Sequence, residues 1–412
     1  MRSGALSERS FRLLFAGQGI SSIGDGVVPV ALSFAVLGLT GSVPDLGLVL
    51  AAQSLPLILF VLIGGVWSDR LPRQRVMLFS DLTRAGVQGA TAVLLLTGTA
   101  RIWELAALQA VYGLARAFFG PAATGLVPQT VEPKHLQQAN ALMGISENTA
   151  LIVGPALGGI LVVAAGPGWG LAFDGTAFLV SAVSLRMMRL APITFAPRQS
   201  TIAELRQGWR AFTSRTWLWT SVVSLTLIVT VVFAPLDVLG PEVAKRHLGG
   251  AAAWAAISTT SGIGSLLGGA IGLRWRPRHP LRIAFLLPLA GEPALLALLA
   301  GGGTLAPIIA FALISGMAAT FFNVFWFTAL QHEITAEEIS RVSSWDHLGT
   351  YALQPIGLAA VGPIAIAIGL STTLYAAAAL VVLLTTAALA IPAIRNFTHT
   401  TPPTTIPASD PV

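Results

Sequence analysis

The sequence predicts an all-α integral membrane protein, with twelve transmembrane helices in two pseudo-symmetric six-helix bundles. Three observations predict it. The 412 residues are 54% hydrophobic and only 10% charged, whereas a soluble domain carries about 25% charged residues. Apolar runs of about 20 residues, the length that spans a bilayer as a helix, recur along the chain, and the short alternating strands of a barrel are not evident. Short patterns of the first half also return in the second at a nearly constant offset.

In chain order the predicted spans are 11–39, 44–67, 75–99, 102–128, 138–165 and 168–190, then 216–239, 251–273, 281–302, 304–330, 342–369 and 371–394. They group as a first bundle (1–190), a linker (191–215), a second bundle (216–395) and a tail (396–412). The first apolar stretch is too long for the core of a signal peptide and is expected to stay as helix 1. Proline and glycine inside the spans are tolerated where neighbouring helices cover the freed backbone groups. The linker stretch TIAELRQGWRAF places Ile202, Leu205, Trp209 and Phe212 on one helical face, as in an amphipathic surface helix. The Thr/Pro-rich tail reads as disordered.

Charge orients the chain. Only Arg101, Lys245 and Arg246 fall on the side opposite the termini, and Arg84 and Arg116 fall inside spans. Every other Lys and Arg of the 24 lies on the terminal side. By the positive-inside rule both termini are cytoplasmic and the protein is a multi-pass component of the cell membrane. The net charge of +6 therefore reflects cytoplasmic loops, not a nucleic-acid partner. With no cysteine, disulfides and thiolate chemistry are excluded.

The repeat appears in two places. YGLARAFF (112–119) aligns with SGMAATFF (315–322), pairing Gly113, Ala115, Phe118 and Phe119 with Gly316, Ala318, Phe321 and Phe322. GGVWSDR (64–70) aligns with GGAIGLR (268–274), pairing Gly64, Gly65 and Arg70 with Gly268, Gly269 and Arg274. Duplicated six-helix units around a central cavity are a transporter architecture.

Between spans 2 and 3 the chain reads GGVWSDRLPRQRVM. Here it resembles the major facilitator superfamily, whose loop 2–3 signature is G-x-x-x-D-R-x-G-R-[RK]. Gly65, Asp69, Arg70, Arg73 and Arg75 carry the match, and Pro72 stands where the family has glycine. The resemblance implies a gating loop whose acid meets helix 11 when the inner gate closes, with the arginines anchoring it to lipid phosphates or nearby acids. Arg116 in GLARAFFGPA resembles the family's helix-4 pattern. Gly154, Pro155, Gly158 and Gly159 in IVGPALGG resemble its antiporter signature; generic close packing is the competing reading. The first two spans, with FFGPAATGLVPQ and FDGTAFLVSAVSL, resemble the enterobactin-exporter and macrolide-efflux branch.

A charge within a span costs a few kcal/mol on insertion scales, so each is a candidate for function. Asp25, between Gly24 and Gly26 in span 1, is the first proton-coupling candidate, then Glu147 in span 5; Arg116 is expected to hold such an acid ionised. Asp81 and Arg84, three apart, are expected to pair with each other. Asn148, Asp174, Asn323, Trp326 and Gln354 are expected to line the cavity, and Asp237 and Glu292 to serve structural roles near outer helix ends.

No H-E-x-x-H, G-x-S-x-G or G-x-x-x-x-G-K-[ST] is present, so no enzyme constellation, metal site, cofactor or ATP drive is expected. The reading that follows is a monomeric proton antiporter in the lipid bilayer. Its partners are protons and a small, amphipathic substrate such as a drug, antibiotic or siderophore. An uptake symporter on the same fold is the alternative, and a non-transporting membrane protein is disfavoured by the loop signatures.

Overall fold

The computed structural model describes residues 4–190, 201–272, 274–275, 277–335 and 338–398, with the side chains of 65, 66, 68, 69, 201–205 and 340 outside the description. The first part of the expected linker and nearly all of the expected tail thus lie outside the described residues.

The first half contains α1 (Arg9–Thr40), α2 (Val43–Arg70), α3 (Arg73–Leu96), α4 (Ile102–Leu126), α5 (Leu136–Ala165) and α6 (Pro167–Met187). The linker contains α7 (Thr201–Thr213). The second half contains α8 (Thr216–Val243), α9 (Ala251–Gly272), α10 (Pro280–Leu286), α11 (Pro288–Ala300), α12 (Leu305–Glu333), α13 (Ile339–Tyr351), α14 (Gln354–Ile368), α15 (Leu370–Ala390) and the short α16 (Pro392–Arg395).

Two spans are broken by proline. Pro288 opens α11 directly after α10, and Pro355 stands at the first turn of α14. Each lacks the N–H that would continue the ladder, so one predicted span is built from two helical pieces. Turn chemistry separates the others. Gly41, at φ 66°, ends α1 with its N–H on the Leu37 carbonyl, and Ser42 then caps α2 by accepting from the Asp45 amide at 3.3 Å. Pro72 starts α3 and makes the sharp break after Arg70.

Nine spans among the described residues are long and apolar enough to cross a membrane on composition alone. The remaining three are α3, which carries Asp81 and Arg84, α4, which carries Arg116, and α9, which is rich in Ala, Gly, Ser and Thr. All three pack against other helices, and α4 and α9 also line the interior cavity, so their polarity is met by protein or by the cavity.

The helix pairings of the first half recur in the second. The α2–α4, α1–α6 and α3–α6 pairs correspond to α9–α12, α8–α15 and α11–α15. Between the halves, α2 meets α14 and α5 meets α9. The matched glycines explain the repetition. A Cβ on Gly113 would lie 1.8 Å from the Gln53 carbonyl oxygen, and one on Gly316 would lie 1.9 Å from that of Ser261. Both glycines bring backbones together without a hydrophobic driving force between helices. Gly113→Ala should therefore force α2 and α4 apart and cost about 1–3 kcal/mol of stability. Thermal unfolding in detergent checks this; an unchanged melting temperature would mean that the approach is not needed.

The linker helix packs on α13. The Trp209 and Trp345 rings lie 4.8 Å apart, Phe212 is buried, and Arg341 donates to Gln207 at 2.5 Å. Of its apolar face, Phe212 is thus covered by protein, while Trp209 stays half exposed.

Candidate transport site

A cavity of about 750 Å³ lies between the halves. Its first-half wall comes from α1, α2 and α4, and its second-half wall from α8, α9, α13 and α14. It runs from Ser33 past Asp25 toward the arginine-rich ends of the helices, reaching Thr124 in the last turn of α4 and His347 on α13. At the other end the halves touch. Lys245 Nζ donates to the Leu37 carbonyl at 2.6 Å. A Cβ on Gly362 would lie 2.6 Å from Pro44, and one on Gly47 2.3 Å from the Leu358 carbonyl oxygen.

Asp25 stands where the cavity meets a buried polar cluster. One carboxylate oxygen accepts the Tyr112 hydroxyl, and the other lies 3.6 Å from Arg84. The Asp25 side chain is 29% exposed, whereas that of Arg84 is 1% exposed. Arg84 also pairs with Asp81. Its guanidinium carbon sits 4.1 Å from the ring centroids of both Phe119 and Phe178. The cation is thus held by carboxylates and by the negative faces of two rings. Beyond it, Gln88 donates to Asp174 at 2.8 Å and Gln109 donates to Gln88 at 3.3 Å.

The glycines flanking Asp25 set its position. A Cβ on Gly24 would lie 2.5 Å from an Asp174 oxygen, and one on Gly26 would lie 2.8 Å from the Ala150 carbonyl oxygen on α5. Helix α1 is thereby wedged between α5 and α6, with Asp25 presented to the cavity. In the GPALGG stretch, Gly154 packs on Gly26, Gly158 on Val27 and Gly159 on Ala255 of the second half. Close packing is thus a property of these positions.

Several expectations are corrected. Arg116 lines the cavity and is exposed there, while the cation beside Asp25 is Arg84, because α3 faces α1 across the bundle interior. Asp174 is fully buried behind Gly24 and does not line the cavity. Trp326 is also buried, donating to Asp346 at 3.0 Å and tying α12 to α13. Asn148, which bonds its own helix at Gly144, is exposed outside the cavity lining, as are Asn323 and Glu147. Asp237, expected to be structural, lines the cavity, as does Gln354. Glu292 is buried and accepts from Ser315 at 2.7 Å.

At the arginine-rich end, Arg73 donates to the Gly125 carbonyl at 2.6 Å, and Gln74 donates to the Leu185 carbonyl at 2.6 Å. These contacts satisfy the free carbonyls where α4 and α6 end, and the Arg73 charge complements a helix C-terminus. Arg70 and Arg75 are exposed. Gly65 and Asp69 lie in the last turns of α2, and the side-chain role expected of Asp69 falls outside the described residues.

Tyr112, Gln88 and Gln109 were missed, although their spacing is legible. Asp81, Arg84 and Gln88 recur at helical intervals on α3, as do Gln109, Tyr112 and Arg116 on α4.

Two pseudo-symmetric helical bundles enclosing a largely apolar cavity that carries ionisable groups at mid-span define a membrane transporter. Residues 14–358 match the Major Facilitator Superfamily, and the chain belongs to that family. It is similar to multidrug efflux pump Tap of Mycolicibacterium fortuitum, 29% identical over 93% of this chain and 96% of that one. It is also similar to macrolide efflux protein A of Streptococcus pyogenes, 23% identical over 84% and 87%. Among solved structures, the nucleoside transporter NupG superposes with a TM-score of 0.73 at 12% identity, covering 92% of this chain and 98% of that one. An inward-facing bacterial homologue of the human lysosomal transporter Spinster superposes at 0.71 and 16% identity, covering 94% and 97%. At these identities the structural likeness speaks for the fold.

Proposed function

We propose that this transporter exports a small amphipathic molecule in exchange for protons, acting as a monomer with both termini cytoplasmic. Export is supported by the efflux function in the names of its relatives. With the arginine-rich end cytoplasmic, the cavity belongs to an inward-facing state, because the halves touch at the opposite end. The observation that carries the coupling is the place of Asp25, open to the cavity and 3.6 Å from a buried guanidinium. A proton on Asp25 cancels its charge and leaves Arg84 to Asp81. The tie between α1 and the α3–α4 face then weakens, which biases the rocking of one half against the other. Deprotonation restores it, and substrate crosses in the opposite half-cycle.

Direction is tested in inverted membrane vesicles with an acidified lumen. A labelled macrolide or similar amphiphile should enter the lumen, and its entry should consume part of the proton gradient. Accumulation only in right-side-out vesicles would establish uptake instead.

The loop signature supports a gating role for Asp69. Asp69→Asn should slow transport while membrane insertion and folded yield stay unchanged. Transport at the parent rate would remove the gate from this reading.

A further inference from the structure

The linker helix joins the membrane surface to the cavity wall. Only Ser214 and Arg215 separate α7 from α8, which is long and apolar enough to cross the membrane, so α7 lies at the level of the lipid headgroups. Arg215 pairs at 2.7 Å with Glu338, the residue before α13, and fixes that corner. Gly208 and Phe212, one turn apart, face protein. A Cβ on Gly208 would lie 3.0 Å from the Cβ of Arg341, and Phe212 is buried.

A second face of α7 is open. Arg206 and Arg210, one turn apart, are exposed, and neither side chain has a hydrogen-bond or ion-pair partner among the described residues. Trp209 shares that face, 48% exposed, with the rest of its ring against Trp345. Thr213 continues the face and is exposed. An indole is stable at the headgroup level, where its ring meets acyl chain and its N–H meets water. A guanidinium makes charge-assisted hydrogen bonds to a phosphate. A zwitterionic surface offers that phosphate with a compensating cation, whereas an anionic surface attracts each arginine by its net charge.

We infer that Arg206, Trp209 and Arg210 form a docking surface for the headgroups of anionic phospholipids in the cytoplasmic leaflet. The docked helix anchors α13, whose His347, Leu348 and Tyr351 line the cavity. The choice of leaflet rests on the termini being cytoplasmic; the docking itself depends neither on what the cavity carries nor on Asp25.

The chain has no cysteine, so Thr213→Cys gives a single site for a nitroxide on this surface. The labelled full chain is placed, one per disc, in nanodiscs of phosphatidylcholine or of an equal mixture with phosphatidylglycerol. Phosphatidylglycerol should slow the nitroxide and protect it from a water-soluble relaxing agent by about threefold or more. Arg206→Gln combined with Arg210→Gln should remove that difference. Arg206→Lys combined with Arg210→Lys should retain it within about twofold, because the attraction is to charge. Both arginines are exposed, so folding should be unaffected, and the elution profile of each variant checks it. Inorganic phosphate added to phosphatidylcholine discs should leave the label unprotected; protection there would make free phosphate the ligand and overturn the lipid assignment. Equal protection in both lipids, or a difference that persists in the glutamine pair, would also overturn it. No reading involves transport, so failure of export or of proton coupling leaves the lipid result intact, and failure here leaves those readings intact.

Discussion

Exchanging Arg84 for glutamine should destabilise the folded protein by about 3–5 kcal/mol, the cost typical of breaking a buried ion pair from one side. The side chain is 1% exposed, pairs with Asp81 and approaches Asp25 at 3.6 Å. Asp81 is fully buried, and one of its oxygens already lacks a partner among the described residues. Glutamine would leave that carboxylate without its cation and remove the planar group between Phe119 and Phe178. Thermal unfolding in detergent and the yield of monodisperse protein report the loss. Adding Asp81→Asn to Arg84→Gln should recover part of it, because the orphaned charge is then removed. Parent-like stability of the single variant would mean that the cluster does not depend on the guanidinium.

Asp25→Asn should abolish accumulation driven by a pH gradient, while exchange at equal substrate concentrations persists. The amide keeps the size of the side chain and still accepts the Tyr112 hydroxyl, but it carries no titratable proton. Burial alone would make such a substitution stabilising, since an unpaired buried carboxylate is costly. Here Asp25 is 29% exposed with Arg84 nearby, so the stability change should stay within about 1 kcal/mol. Accumulation and exchange measured in the same proteoliposomes separate coupling from binding. Gradient-driven accumulation at the parent level would move the proton to another acid.

The two variants separate the parts of the cluster. Arg84 sits behind the cavity wall, buried against Asp81, whereas Asp25 sits on the wall and is open to the cavity. A purely structural Asp25 would lower folded yield without distinguishing accumulation from exchange.

The membrane class and span count were legible because the bilayer imposes a length and an apolarity on every crossing helix. Even α3, α4 and α9, marginal on composition, show apolar runs long enough to be counted as spans. The repeat was legible because equivalent helix pairs need glycine at equivalent contacts, as Gly113 and Gly316 show. Candidate ionisable groups could be named because charge within a span is costly and rare. Which of them meet was decided only by packing. Asp25 and Arg84 are far apart in sequence and touch because Gly24 and Gly26 let α1 settle between its neighbours. Arg116, matching a family pattern, faces the cavity, while Asp174 turns inward to Gln88. Hydropathy records that a residue is inside the membrane; only the rotation of each helix, set by contacts with the others, decides whether it faces lipid, protein or the cavity.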